Sequence, residues 1–302
     1  MIDLLATTTG VVVACALLGL LVGSFLNVVI LRLPARLMHA WREQAREVLE
    51  QPDASADAAS PVSSSGDASR VEAPPPDIVF NRSHCPYCKH VLAPWENIPL
   101  LSFLALRGKC RHCRAAISWQ YPVVEAITAL AFATCAIAFG WGWPLVAALL
   151  LTAMLIAGSG IDLRTQLLPD QITLPLLWLG LLCAIPAWFV AADAAILGAA
   201  CGYLVLWLVY WAFKIATGKE GMGYGDFKLL GALGAFVGYA GILPILLLSS
   251  VVGAIAGTIF LLLARRGRAT PIPFGPFLAT AGWIQFVWGD SLFAWYRGLL
   301  GV

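Results

Sequence analysis

The sequence predicts an all-α polytopic membrane protein, and three observations carry that prediction. Sixty per cent of the 302 residues are hydrophobic, 12% are charged and the mean hydropathy is +0.82. This composition excludes a soluble globular domain with an ordinary surface. Eight apolar runs recur along the chain, most of them close to the ~20 residues that cross a bilayer as a helix. Because the runs are continuously apolar and do not alternate, they favour helices over an outer-membrane barrel.

The apolar runs give about eight transmembrane helices in order. They lie near 4–31, 121–139, 143–161, 172–192, 194–213, 227–240, 242–264 and 276–296, and the run at 227–240 is short. The first run is too long for a signal-peptide core, and no small-residue cleavage site follows it. We therefore expect residues 1–35 to remain as the first transmembrane helix, and residues 119–302 to form a seven-helix membrane domain.

The basic residues predict an orientation. If the amino terminus lies outside and eight helices follow, 18 of the 19 Lys and Arg residues fall in or beside cytoplasmic loops, and only Arg297 lies outside. Such an asymmetry satisfies the positive-inside rule. Both termini are then expected outside, and the large loop after the first helix is expected in the cytoplasm.

The large loop has three parts. Residues 36–50 are charged and favour a short surface helix, whereas residues 51–77 lack aromatics and are rich in Ala, Ser, Pro and Asp. Such a segment cannot bury enough apolar surface to order itself, so residues 36–79 are interpreted as a flexible cytoplasmic insert. Residues 80–118 form a compact segment that contains two Cys-x-x-Cys pairs.

The two Cys-x-x-Cys pairs predict a structural zinc site. They consist of Cys85, Cys88, Cys110 and Cys113. Their spacing is close to that of four-thiolate zinc sites. Two disulfides or redox pairs are the alternative, but a cytoplasmic position argues against stable disulfides. A segment of this size also needs a staple to fold. His84, His90 and His112 are alternative ligands but are expected at the surface, while Cys15, Cys135, Cys183 and Cys201 are expected to pack in helices.

Two aspartates at the edges of apolar runs are candidate catalytic residues. Asp162 follows a membrane run, and Asp226 ends the sequence Gly-Tyr-Gly-Asp before another. A carboxylate in such a place is costly and indicates a function. Gly223 and Gly225 permit a tight turn and the close approach of an extended peptide. Two such carboxylates on one side of a membrane could form an aspartyl protease dyad.

The alternatives for these aspartates are structural. Asp226 could cap a helix, and Asp162 could pair with Arg164 or Lys228. Asp170, which follows a proline and precedes a helix, is a rival member of the dyad, although an aspartate there also serves as a cap.

With these motifs in view, the chain resembles the bacterial prepilin peptidases, GxGD-type membrane aspartyl proteases that also act as N-methyltransferases. The resemblance is carried by Gly23–Pro34, the cysteine pairs, Trp95–Pro99, Leu106–Cys110, Tyr121–Glu125, Ile161–Asp170, Gly221–Leu230 and Pro273–Pro276. These segments cover nearly the whole chain in order. The insert at 51–77 is longer than the family pattern leads us to expect.

The resemblance implies a function. Asp162 and Asp226 fall on the family's catalytic pair, and the four cysteines fall on its zinc motif. The implied substrates are prepilins of type IV pili or pseudopilins of type II secretion, cut after a short basic leader at the cytoplasmic border of the bacterial inner membrane. S-adenosylmethionine is the implied methyl donor, although no Gly-x-Gly-x-x-Gly site is present. Glu125 and Glu96 are candidates for meeting the basic leader, and the alternative for Glu125 is a helix-start acid satisfied by the helix dipole. Gly223 and Gly225 are candidate substrate contacts, and no nucleic-acid partner is expected.

Two other functional classes stay open at this stage. A transporter could use acidic residues and a helix interrupted by glycines, although such sites usually lie near the membrane midplane. A non-catalytic scaffold could use the cysteine segment as a docking module. Cleavage of a model prepilin separates these readings.

Overall fold

The computed structural model describes residues 7–50, 74–78, 82–264 and 273–300. Within these ranges the chain forms nine α-helices, two 3₁₀ turns and two isolated β-bridges, without a regular strand. In chain order the helices are α1 Thr8–Glu50, α2 Leu101–Ala105, α3 Gln120–Phe139, α4 Trp143–Thr165, α5 Asp170–Ala184, α6 Ala192–Thr217, α7 Tyr224–Val237, α8 Ile242–Ala264 and α9 Gly275–Leu300. Each predicted apolar run coincides with one of the eight longer helices, so the all-α prediction is confirmed.

The number of helices does not equal the number of membrane spans, because the helices differ in length. Among the described residues, five segments are long and apolar enough to cross a membrane, namely Thr8–Leu49, Gln120–Phe139, Trp143–Thr165, Ala192–Thr217 and Tyr239–Ile259. Helices α5 and α7 have only 15 and 14 residues, about 21–23 Å at 1.5 Å per residue. The protein is therefore a multi-pass helical membrane protein, and the structure does not confirm eight spans.

Helix α1 is longer than the sequence predicts. Its 43 residues include Pro34 and continue to Glu50, through the boundary that we expected after residue 35. The segment 36–50 is rich in residues with high helix propensity, which favours continuation beyond the proline. Asp77 accepts hydrogen bonds from Arg32 and Arg36 on this helix, the latter as an ion pair of 2.9 Å. The expected separate surface helix is thus part of α1; most of the predicted flexible insert lies outside the described residues.

Helix α7 is the most enclosed element around the site. From Asp226 to Phe236 all its residues are buried except Lys228. Helix α6 approaches it closely where two glycines meet, because a Cβ atom on Gly198 would lie 2.2 Å from the carbonyl oxygen of Gly234. No larger residue fits at that crossing. Helices α5, α6 and α9 also contribute buried side chains to the core around α7.

The membrane cysteines have two kinds of environment. Cys15, Cys135 and Cys183 are buried, as expected for small packing residues, whereas Cys201 is exposed on α6. The expectation of packing in helices therefore holds for the first three and is wrong for Cys201, whose side chain is exposed among the described residues.

Candidate active site and metal centre

Two buried carboxylates come together from the ends of two helices. Asp162 lies in the last turn of α4, where its carbonyl accepts a hydrogen bond from the amide of Gln166, and Asp226 is the third residue of α7. Their exposed fractions are only 5% and 7%. The backbone beside each carboxylate reaches the same side chain, because Cβ atoms on Gly225 and Gly275 would lie 2.5 and 2.9 Å from atoms of Leu168. Two carboxylates held close together cannot both ionise cheaply, which favours a shared proton.

The start of α9 supplies a hydrogen-bond donor to this pair. The backbone N–H of Gly275 donates to Oδ2 of Asp162 at 3.0 Å. A Cβ atom on Gly275 would lie 2.6 Å from the same oxygen. Only glycine therefore allows the backbone to approach the carboxylate this closely.

The turn between α4 and α5 packs beneath the pair through Leu168. A Cβ atom on Gly225 would lie 2.5 Å from Cβ of Leu168, and one on Gly275 would lie 2.9 Å from its Cδ1. The first turns of α7 and α9 thus approach the same leucine. Gly225, a predicted substrate contact, packs against Leu168. Gly223, the other predicted contact, is exposed, and its carbonyl accepts a hydrogen bond from the amide of Asp226 at 3.2 Å.

The two cations that the sequence offered as partners of Asp162 bind other residues. Arg164 donates to the side chain of Gln120 at 2.7 Å, and Lys228 forms an ion pair with Asp170 at 2.6 Å. Asp170 lies in the first turn of α5 and its side chain is 52% exposed. The structure therefore brings Asp162 together with Asp226 and gives Asp170 a cation as its partner.

Glu125 lies inside the protein and away from a free surface. It is 6% exposed, and its Oε2 accepts the backbone N–H of Leu100 at 2.8 Å. Because α3 begins at Gln120, Glu125 lies beyond the first turn and does not act as a helix-start acid. Its observed contact ties the segment before α2 to α3.

The four predicted cysteines form one cluster. Their Sγ atoms all lie within 4.8 Å of one another, and those of Cys85 and Cys113 are 3.8 Å apart. A tetrahedral zinc ion with Zn–S bonds of about 2.3 Å requires sulfur atoms about 3.8 Å apart. Backbone hydrogen bonding at Cys88 lowers the pKa of the Cys85 thiol to about 7, against the effect of burial. The donor set thus fits a thiolate-bound metal ion such as zinc.

The two cysteine pairs have the same local structure. After each pair a basic residue has positive φ, Lys89 at 59° and Arg114 at 60°. The amides of Cys85 and Cys110 bond to carbonyls five residues later, at 2.9 and 2.8 Å. The predicted surface histidines have different positions, since His84 and His112 are exposed while His90 is half-buried and its ring stacks on His112 at 4.0 Å. Among the described residues, the metal-binding cluster consists of the cysteines alone.

A polar chain that was not predicted connects α1, α3 and α4. Asn27, which is 1% exposed, donates to the carbonyls of Gly23 and Tyr121, each at 3.2 Å. Gln120 donates to Asn27 at 3.5 Å and accepts from Arg164 at 2.7 Å. The buried asparagine in an apolar run was the available signal.

Comparison with known proteins assigns the chain to a family. Residues 17–139 match the bacterial peptidase A24 N-terminal domain, and residues 149–258 match the type IV leader peptidase family. A prepilin leader peptidase/N-methyltransferase of Xanthomonas campestris pv. campestris is 53% identical over 289 residues, which cover 96% of this chain and 95% of that protein. A protein of the same description from Aeromonas hydrophila is 51% identical, over 93% of this chain and 91% of its own length. Another from Pseudomonas aeruginosa is 50% identical, over 100% of this chain and 99% of its own length. No solved structure matches. With half of its residues shared over almost its whole length, this chain belongs to the type IV leader peptidase family.

Proposed function

We propose that this protein is a membrane aspartyl endopeptidase that removes the leader from type IV prepilins or from pseudopilins of type II secretion. The observation that carries the proposal is the burial of Asp162 and Asp226 where the end of α4 and the start of α7 meet at Leu168. The family supplies the substrate class, because the described relatives are named prepilin leader peptidases.

The proposed reaction uses one proton shared by the two carboxylates. The ionised member removes a proton from a water molecule, which attacks the scissile carbonyl, while the protonated member hydrogen-bonds the carbonyl oxygen. The amide of Gly275 stabilises charge on Asp162, and the start of α7 does the same for Asp226. Because both members have such support, we treat the roles as properties of the pair.

The short helices fit a site at the membrane border. A helix of 14 residues covers roughly 21 Å, less than the ~30 Å hydrocarbon core, and α7 and α5 both begin beside the carboxylate pair. We infer that the pair lies at the cytoplasmic border of the membrane. Both termini would lie in the periplasm and the cysteine segment in the cytoplasm, in accord with the positions of the basic residues.

The substrate contacts proposed from the sequence differ in how well the geometry supports them. Gly223 is exposed beside Asp226 and leaves room for an extended peptide. The burial of Glu125 and its bond to Leu100 support a role in holding the cytoplasmic segment rather than in direct contact with a basic leader.

The cysteine cluster is proposed to hold one structural Zn²⁺ ion. Cys85, Cys88, Cys110 and Cys113 would be its four ligands, which fills a tetrahedron and leaves no position for a water nucleophile. The ion would stabilise a segment that has little core of its own.

The second proposed activity is methylation of the new amino terminus. The relatives are named N-methyltransferases, and S-adenosylmethionine is the proposed methyl donor. We propose that the segment 82–118 contributes to this activity. A variant in which all four cysteines of the cluster are changed to serine should lose methylation of a pre-cleaved pilin. Normal methylation by that variant would exclude the role.

Cleavage by the purified protein tests the principal proposal. Wild-type protein in detergent should cut a model prepilin after its leader, and Asp162→Asn and Asp226→Asn should not. A transporter or a scaffold would leave the model prepilin intact.

A further inference from the structure

Lys228 and Asp170 connect the same two parts of the chain as the carboxylate pair. Asp162 and Asp170 lie at the two ends of the turn between α4 and α5, and Asp226 and Lys228 share the first turns of α7. Nζ of Lys228 lies 2.6 Å from Oδ1 of Asp170. The ion pair is therefore a second link between the turn and α7, two residues beyond Asp226.

Lys228 interrupts the buried stretch of α7 between Asp226 and Phe236. All other residues from Asp226 to Phe236 are buried, whereas the side chain of Lys228 is 31% exposed and that of Asp170 is 52% exposed. An ion pair this exposed contributes only about 0–1 kcal/mol to folding stability. So small a contribution gives the ion pair little role in overall stability. Its position, two residues beyond Asp226, instead indicates an effect on the local geometry of the site.

The turn that the ion pair holds is linked to Asp162 by backbone hydrogen bonds. The amide of Gln166 donates to the carbonyl of Asp162 at 2.8 Å, and the amide of Ile172 donates to the carbonyl of Pro169 at 2.9 Å. Leu168, between these bonds, packs against Gly225. A movement of Asp170 away from α7 would therefore move the turn and the end of α4 together.

We propose that Asp170 and Lys228 are a positioning pair that clamps the α4–α5 turn against the start of α7 and so fixes the separation of the Asp162 and Asp226 carboxylates. This inference rests on the proposed function of those two residues. A misplacement of about 1 Å can cost about 10²-fold in rate, so a weak ion pair can matter greatly for turnover and little for stability.

Cleavage kinetics with a model prepilin test the clamp. Lys228→Met and Asp170→Ala should each lower kcat about 10- to 100-fold, with KM and the thermal midpoint near the wild-type values. Lys228→Arg keeps the ion pair and should keep most of kcat. The reversed pair, Asp170→Lys with Lys228→Asp, should recover at least about 10-fold in kcat over the worse single variant. Arg36→Met, which breaks the exposed ion pair with Asp77 on α1, is the matched control and should leave kcat unchanged.

Each result has a definite meaning. Full kcat in both single variants would overturn the clamp, as would a loss in the folded reversed pair, which would indicate that Asp170 or Lys228 takes part in the chemistry. If the reversed pair does not fold, Lys228→Arg decides, because a folded but inactive Lys228→Arg also contradicts the clamp. Wild-type protein that fails to cleave would instead refute the proposed function.

Discussion

The backbone amide of Gly275 donates a hydrogen bond to the carboxylate of Asp162 across 113 residues of sequence, at 3.0 Å. This contact joins the start of α9 to the end of α4 at the point where Asp226 also arrives. It places three helix ends around one pair of acids.

Substitution of Gly275 should impair turnover. In Gly275→Ala the new methyl group would fall 2.6 Å from Oδ2 of Asp162 and 2.9 Å from Leu168, so the carboxylate must shift. We expect kcat for prepilin cleavage to fall about 10- to 100-fold. Gly298→Ala on the same helix is the control, because a Cβ atom there meets no atom of the described residues within 4 Å. Equal kcat in the two variants would show that the close approach of α9 is unimportant.

Gly225 and Gly223 should differ although they lie two residues apart. Gly225→Ala drives a methyl group into Leu168 and should destabilise the fold by about 1–3 kcal/mol, as overpacking does. In Gly223→Ala the nearest atom is Oδ2 of Asp226 at 4.0 Å, so the fold should tolerate it. Thermal unfolding in detergent measures both effects. A rise in KM for Gly223→Ala at unchanged stability would support substrate contact there, and equal destabilisation by both would contradict the assigned packing.

The cysteine cluster should bind one zinc ion per chain. Purified protein should contain about one equivalent of zinc by elemental analysis, since four thiolates form a closed tetrahedral site. Replacing Cys88 and Cys113 by serine should remove the metal and make residues 82–118 sensitive to protease. Cys135→Ala and Cys183→Ala remove buried membrane thiols and should retain the zinc. Full zinc content in the first variant would refute the assignment.

Glu125 should act on structure rather than on leader choice. Glu125→Ala leaves the part-buried amide of Leu100 without its acceptor, at a cost of about 1–3 kcal/mol, and should loosen the segment before α2. Glu125→Gln retains an acceptor and should cleave basic and neutral leaders in the wild-type ratio. If Glu125→Gln loses that discrimination while remaining folded, the leader-binding role suggested by the sequence is supported instead.

The sequence was informative where local pattern determines structure. Apolar runs of helical length located all eight longer helices, and the repeated Cys-x-x-Cys spacing located the cysteine cluster, because each is a property of neighbouring residues. The continuation of α1 through Pro34 differs from the prediction, because a proline was given more weight than the high helix propensity of residues 36–50.

Only part of the candidate site could be predicted, because the rest depends on contacts between segments far apart in the sequence. Asp162 and Asp226 stood out because acids are costly beside apolar runs. The donor from Gly275, the packing of Leu168 and the partner of Asp170 depend on contacts between distant segments, which no local period encodes. Pro273-Phe-Gly-Pro276 was noticed as a motif, yet nothing in it indicated that its glycine would meet Asp162.

The most direct test of the account is the rate of leader cleavage by purified wild-type, Asp162→Asn, Asp226→Asn and Asp193→Asn proteins, measured side by side on one model prepilin. Asp193 lies in the first turn of α6 and provides the same chemical change outside the pair. We expect Asp162→Asn and Asp226→Asn each to lose at least about 10³-fold in kcat/KM, and Asp193→Asn to remain at the wild-type rate. Substantial cleavage by a folded Asp162→Asn or Asp226→Asn protein would contradict the central claim that these two carboxylates together carry out the reaction.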